Sequence, residues 1–236
     1  MRALIEIKPK SDMAYMDINK HSILGAIYSQ FIGTPYEHLH DLKKFKFFSF
    51  SDIFPPTDYK NGETKKLIVS SPDSAFVRIF CENIMTKEEI NIKGTHFDVV
   101  SAKPLKLKLK NRFITGSPIV LYKDNMSGEY FSFKKHHDMN FFIERLKENA
   151  IKKYTAFYDE KPEIEGPIFD RMRFSNEVVV PMVKTGRGFI FIGTTWKLLE
   201  KFRFNSAKER KFYRFVMDAG IGEKTSMGFG LLNPLR

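Results

Sequence analysis

Gly220-Ile221-Gly222-Glu223-Lys224-Thr225-Ser226-Met227-Gly228-Phe229-Gly230 lies close to the C-terminus, and the rest of the chain is read outward from it. It follows a good helix pattern. Ser206 with Glu209 makes a capping box, and Phe212, Phe215, Val216 and Ala219 share one helical face. Gly220 sits where a helix end takes a left-handed residue. Beyond it, glycines bracket a polar turn and alternate with Ile221 and Phe229. Backbone N–H groups with no Cβ in front of them can approach a bulky anion closely. Two familiar phosphate loops are excluded by spacing. Glu223 interrupts the Gly-Lys-Ser/Thr order of a P-loop. A dinucleotide fingerprint would need glycine at position 225, which is Thr, and would open a helix rather than close one. On spacing alone, a glycine-rich turn between a helix and a last strand remains the alternative.

The 236 residues suffice for one large domain or two ordinary ones, and 42% hydrophobic content supports packed cores. Most of the 24 phenylalanines must therefore be core. A formal charge of +11 favours a polyanionic partner through phosphate neutralisation, with RNA or DNA ahead of a membrane surface. Cys81, the single cysteine, excludes an internal disulfide and a Cys-based zinc cluster, and its place in an apolar helix pattern makes it core. The apolar run in Met1–Lys10 is too short for a signal peptide, and none approaches the ~18 residues of a membrane span. A soluble, cytoplasmic protein with no membrane partner is expected.

Element order supplies the architecture. Residues 2–8 form a strand stopped by Pro9. Ile23, Leu24, Ile27 and Phe31 follow helical spacing, ended by Gly33-Thr34-Pro35. Lys46–Phe50 and Leu67–Val69 are extended, Pro72-Asp73 opens a second helix, and Thr95–Val100 returns to strand. The order recurs. Extended segments at 113–114, 119–122 and 130–133 precede an amphipathic helix over Asn140–Ala150. Arg171–Val183 and Gly188–Ile192 then pair across a basic turn, Lys184-Thr185-Gly186-Arg187. Trp196–Phe204 is expected as a further strand, and the last helix with Leu231-Leu232 closes the unit. Two tandem ferredoxin-like (RRM-like) modules of the α+β class follow, 1–108 and 109–236. The junction falls at Lys106-Leu107-Lys108-Leu109-Lys110, whose alternation also suits an edge strand with a lysine face.

Among six histidines, His38 and His40 stand out because they follow the first helix and precede Lys43, Lys44 and Lys46. RNA can be cut by its own 2′-hydroxyl, given a base, an acid for the departing 5′-oxygen and a cation for the phosphorane. Imidazole suits the proton transfers, and fixed cations suit the developing charge. In an extended loop both histidines would point the same way; in a helical one they diverge. His136-His137-Asp138 looks metal-like, but adjacent histidines point apart and no further ligand completes a set, so no metal and no cofactor are expected. Trp196, Phe202, Phe204 and Tyr213 are read mostly as core. Arg187, Lys197, Lys201, Arg203, Lys208, Arg210, Lys211 and Arg214 surround the glycine stretch in sequence and suit phosphate contacts.

The full C-terminal pattern, Gly-apolar-Gly, five residues, Gly-apolar-Gly, then Leu231-Leu232, resembles the signature of the CRISPR-associated endoribonucleases that cut repeat RNA, within the RAMP superfamily. Leu24-Gly25-Ala26-Ile27-Tyr28 resembles the tyrosine site of that family, Leu39-His40-Asp41 its histidine site and Lys46-Phe47-Phe48 its lysine site. The resemblance implies two ferredoxin-like modules and metal-independent cleavage. It gives His40 the role of general acid or base, has Tyr28 activate or position the 2′-hydroxyl, and has Lys46 stabilise the phosphorane. His38 could be the true acid or the second member of a pair, and Lys43 or Lys44 could replace Lys46. Gly220, Gly222, Lys224, Thr225, Ser226, Gly228 and Gly230, with Arg187, Lys197 and Arg203, are the expected RNA contacts. Repeat RNA is the partner the resemblance implies; a CRISPR effector complex and a homodimer are left open. A noncatalytic RAMP protein that binds repeat RNA is the competing reading, and only His40 with Tyr28 and Lys46 favours the enzyme over it. A general RNA-binding protein with RRM-like modules is a more distant third.

Overall fold

Strict alternation in β1 (Arg2–Pro9) buries Ala3, Ile5 and Ile7 on one face, which fixes where the first pair of helices must pack. The first half continues through α1 (Lys20–Tyr28), β2 (Ser49–Phe50), β3 (Lys65–Ser70), α2 (Ser74–Thr86), β4 (Glu89–Ile92) and β5 (Thr95–Leu105). Its antiparallel sheet runs β2-β3-β1-β5-β4. That is the ferredoxin-like arrangement with β4 added as the outer arm of a hairpin. The Asp73 carboxylate caps α2 by accepting from the Ala75 and Phe76 amides, and Phe76, Val77, Phe80 and Ile84 face the sheet. The computed structural model describes residues 1–184 and 187–235, with backbone alone for Val183, Lys184 and Arg187; the basic turn expected at 184–187 therefore has Thr185 and Gly186 outside the described residues.

The second half contains β6 (Arg112–Thr115), β7 (Tyr122–Asp124), β8 (Glu129–Tyr130), α3 (Phe133–His136), α4 (Met139–Tyr158), β9 (Arg171–Lys184), β10 (Arg187–Glu200), α5 (Ala207–Ala219) and β11 (Leu232–Pro234). The sheet order β11-β6-β10-β9 repeats the first module's plan, with the β7–β8 hairpin and α3 inserted before α4. Two tandem ferredoxin-like modules are thus present. At the start of α5, Ser206 Oγ accepts from the Glu209 amide at 3.0 Å, while the Glu209 carboxylate accepts from the Asn205 amide.

Several expectations are corrected. Trp196–Phe204 is not a separate strand, because β10 runs unbroken from the hairpin to Glu200. Register shifts around Trp196 reset the alternation and turn the indole into the core, 5.2 Å from the Phe142 ring. Asp170 then ends the strand by accepting from the Phe202 amide and from Lys201 Nζ. Residues 106–110 form no edge strand either. Leu107 and Leu109 pack on the second core with their lysines exposed, and Arg214 donates to the Leu107 carbonyl. Of the stretch 46–50 only Ser49 and Phe50 pair as strand, and β4 had no expectation attached to it.

The modules are locked together by buried polar and apolar contacts. The Arg2 guanidinium, 3% exposed, donates to Asn233 Oδ1 at 2.6 Å, to the Met217 carbonyl at 3.3 Å and to the Leu232 carbonyl. Ser70 Oγ donates to the Asp218 carbonyl, and the Met1 ammonium pairs with the Asp218 carboxylate at 2.9 Å. Phe47, from the first half, lies edge-on to Phe157 and packs on the second core. No helix among the described residues is long and apolar enough to cross a membrane.

Candidate active site

Tyr28 is the last residue of α1 and half-buried. After a tight turn the chain forms a single turn of 3₁₀ helix, Glu37–His40. Side chains step about 120° per residue in such a turn, so His38 and His40 diverge, the second of the two geometries open from the sequence. His40 brings its ring edge-on to Tyr28, with centroids 5.4 Å apart at 83°. The loop then returns through Lys46, whose Nζ donates to Tyr28 Oη at 3.1 Å and to the His40 carbonyl at 2.8 Å. Phe48 fixes this return: it is buried, edge-on to Tyr28, and stacked on Phe76 at 5.2 Å. Tyr28, His40 and Lys46 therefore converge from three separate segments. His38 is exposed on the same 3₁₀ turn, with its side chain diverging from that of His40, and Lys43 and Lys44 are exposed on the loop.

Burial pushes the Tyr28 hydroxyl up to about 12, so at neutral pH it keeps its proton and serves as a hydrogen-bond donor rather than a base. The Asp41 carboxylate lies 2.9 Å from His40 Nδ1. Assigning the proton to Nδ1 on the strength of that contact leaves the Nε2 lone pair available. Both partners are largely exposed, at 71% and 79%, so the pair orients the ring more than it stabilises charge.

A cleft of about 730 Å³ adjoins the cluster. Residues 42–47 form one wall, Gly222–Ser226 the other, and Lys153 and Ala156 of α4 complete the lining. Tyr28 and His40 do not line it; Lys46 belongs to both. The glycine loop thus meets the histidine loop, although the two are far apart in sequence.

The glycines themselves face protein. Gly220, Gly222, Gly228 and Gly230 are buried, and the space beside them is filled by Ser49, Val120, Phe50 and Ile221 respectively. At Gly230 a Cβ would fall 1.8 Å from the Ile221 carbonyl oxygen, and at Gly228 2.6 Å from Cε2 of Phe50 in the other module. Their freedom is used to seat the loop between modules, not to admit an anion. Next to Gly222, the side chains the loop turns toward the cleft are those of Glu223, Lys224, Thr225 and Ser226, with Lys224 Nζ 5.3 Å from the Tyr122 ring centroid.

Lys153 had no sequence expectation attached to it. Helix α4 runs two turns past Ala150, to Tyr158, and Lys153 falls on its inner face, 3% exposed. Its Nζ donates to the Gly220 carbonyl at 2.7 Å and the Gly222 carbonyl at 3.0 Å. Burial pushes the ammonium down to about 7, with Glu223 pulling the other way. A lysine seven residues beyond Leu146, on the apolar face, is the signal that could have found it.

The wider basic footprint is mostly engaged elsewhere. Lys201 is buried against Asp170, Lys211 pairs with Glu160, and Arg214 holds the Leu107 carbonyl. Lys197 and Arg203 are exposed but do not line the cleft, and the Arg187 side chain lies outside the described residues. His136 stacks on Phe131, and its Nδ1 accepts from the Ser132 amide. Among the described residues no three His, Cys, Asp or Glu side chains converge as metal ligands.

Comparison with solved structures places this fold in one class. The chain superposes over its full length on a structure titled "An RAMP protein binding different RNA substrates", with a TM-score of 0.75 at 20% identity over 100% of that chain. It superposes equally completely on "CRISPR associated protein Cas6", at TM-score 0.73 and 24% identity over 99% of that chain. In sequence it is 48% identical, over 100% of both chains, to "CRISPR-associated endoribonuclease Cas6 2" of Methanocaldococcus jannaschii. The family model described as "CRISPR associated protein Cas6, C-terminal" matches residues 101–234. The chain belongs to the Cas6 family.

Proposed function

We propose that this Cas6-family chain is an endoribonuclease that cuts CRISPR repeat RNA at the Tyr28–His40–Lys46 cluster, with the RNA's own 2′-hydroxyl as nucleophile. His40 Nε2 takes the 2′-hydroxyl proton as its oxygen attacks the adjacent phosphorus. The protonated Tyr28 hydroxyl holds that oxygen in line, and the Lys46 ammonium stabilises the added charge of the phosphorane. With the His38 side chain diverging from that of His40 on the 3₁₀ turn, the departing 5′-oxygen takes its proton from water. The products are a 2′,3′-cyclic phosphate and a 5′-hydroxyl, and no metal is required. Lys224, Thr225 and Ser226 hold the strand on the opposite wall of the cleft. Gly220, Gly222, Gly228 and Gly230 contribute by placing that wall, and Arg187, Lys197 and Arg203 would serve RNA lying outside the cleft. The reading carries a cytoplasmic location with it. Repeat RNA is the partner it names; an effector complex and a second copy of the chain are not part of it.

The observation that supports catalysis over mere binding is the meeting of Tyr28, His40 and Lys46 through direct contacts. The relative named an endoribonuclease supports it as well. The test is cleavage of the host's own repeat RNA in EDTA, with and without a 2′-deoxy substitution at the cut nucleotide. Cleavage should survive EDTA, vanish with the deoxy substrate, and fall about 10²–10⁴-fold in His40→Ala, with His38→Ala near the unmodified rate. Binding without cleavage by the unmodified protein would favour the noncatalytic reading. Full activity in His40→Ala would refute the site.

A further inference from the structure

Lys153 is a fully buried ammonium with two neutral carbonyls as hydrogen-bond partners, on the floor of the cleft just described. Burying a charge in protein is costly unless an opposite charge compensates it. Here the hydrogen-bonded acceptors are the carbonyls of Gly220 and Gly222, both neutral. Lys43, Lys44 and Lys46 face the cleft from the loop opposite, and Lys224 from the glycine loop. Glu223, the single carboxylate among the described residues of the lining, acts on Lys153 through space without a hydrogen bond to it, and Arg145, two turns earlier on the same helix, lies 3.9 Å from that carboxylate. On α5, which packs against α4, Asp218 is taken by the Met1 ammonium. The site is short of negative charge, and an ammonium has three N–H donors, two of which the carbonyls occupy.

We propose that Lys153 is an RNA-binding residue: a backbone phosphate of the substrate enters the cleft and supplies the hydrogen-bonded anion this buried ammonium lacks, so that RNA binding takes up a proton at Lys153. The inference rests on the nuclease reading for its ligand, but not on the identity of the catalytic groups. A phosphodiester between the two walls would lie among the cations of both modules, with Lys153 beneath it. Without the anion, burial holds the ammonium down to about 7, so near neutral pH much of the population is the amine. With it, the charged form is favoured and the site fills with a proton from solvent. Every surface lysine contributes to affinity through counterion release, but a lysine that is already charged takes up no proton. Proton uptake therefore distinguishes Lys153 from the rest.

The experiment is calorimetric titration of the full chain with 2′-deoxy-blocked repeat RNA, run slightly above neutral pH in two buffers of different ionisation enthalpy. The unmodified protein should take up a large fraction of a proton per RNA. Lys153→Met should lose that fraction and bind about 10–100-fold more weakly, the range for a charge-assisted hydrogen bond. Comparing variant with unmodified protein cancels any uptake by His38 or His40. Lys153→Gln is neutral but can still donate to the glycine carbonyls; it should keep the fold and show the same two losses, which guards against a merely structural effect. Unchanged uptake and affinity in a folded Lys153→Gln variant would overturn the inference while leaving the nuclease reading intact. Absence of RNA binding by the unmodified protein would overturn both.

Discussion

Replacing Gly228 by alanine separates the two jobs the glycine loop could perform. Gly228 has φ +87°, a left-handed conformation, and an added Cβ would stand 2.6 Å from Cε2 and 2.8 Å from Cζ of Phe50. The left-handed backbone costs an L-residue roughly 1–2 kcal/mol. Forcing a methyl into a packed interface adds roughly 1–3 kcal/mol. Phe50 is fully buried and cannot swing aside freely. The expected loss is about 2–5 kcal/mol, a fall in unfolding midpoint of about 10 °C for a chain of this size. The assay is thermal unfolding of both proteins, with affinity for the 2′-deoxy repeat measured at a temperature where both are folded. Stability should drop while affinity stays within a few-fold. Phe50→Leu added to the variant should recover part of the loss, because it trims the ring the methyl meets. An unchanged midpoint with strongly weakened RNA binding would refute the argument and return the glycine to the role of admitting an anion.

Tyr28→Phe keeps the ring that packs on His40 and Phe48 but removes the hydroxyl that accepts from Lys46. It should lower kcat about tenfold or more with little change in the unfolding midpoint. Because the hydroxyl is pushed up to about 12, the rate of the unmodified enzyme should show no loss from tyrosine ionisation below about pH 10. Arg2→Met leaves Asn233 and the carbonyls of Met217 and Leu232 without their buried donor. It should cost about 3 kcal/mol in urea unfolding. Lys153 also predicts a pH effect on stability. Its folded value, about 7, lies below the ordinary 10.5, so between these the unfolded chain holds a proton that the folded chain has released. Stability should therefore rise with pH across that window, by up to about 1.4 kcal/mol per pH unit from this group. Lys153→Met should flatten the rise, which urea midpoints at several pH values would detect.

The module plan was legible because it is written in local periodicity. Ile23, Leu24 and Ile27, or Phe76, Phe80 and Ile84, announce a helix face, and alternation around Ile5 and Ile7 announces a strand. Tyr28, His40 and Lys46 were legible as residue types near one another in the chain and through the family resemblance. Their contact was not, since it depends on a 3₁₀ turn and on Phe48 anchoring the return of the loop. The strand expected over 196–204 failed because a bulge at Trp196 shifts the alternation from which strands are read. The lysine face at 106–110 was real, but its leucines pack on the second core instead of joining a sheet. Lys153 was missed because the helix pattern was ended at Ala150, two turns too soon.

What the sequence determined by itself was the repertoire: two sheet-and-helix units, an excess of positive charge, an imidazole beside lysines, and glycines where the last helix ends. Each follows from side-chain chemistry and short-range spacing. Tertiary structure alone decided that the glycines fit against Ser49, Phe50 and Val120, that Lys153 ends beneath their loop, and that this loop faces Lys46 across one cleft. Those juxtapositions join residues far apart in the chain, 67 positions for Lys153 and Gly220 and more for the others. They depend on how two buried surfaces fit together, and no local pattern encodes that fit.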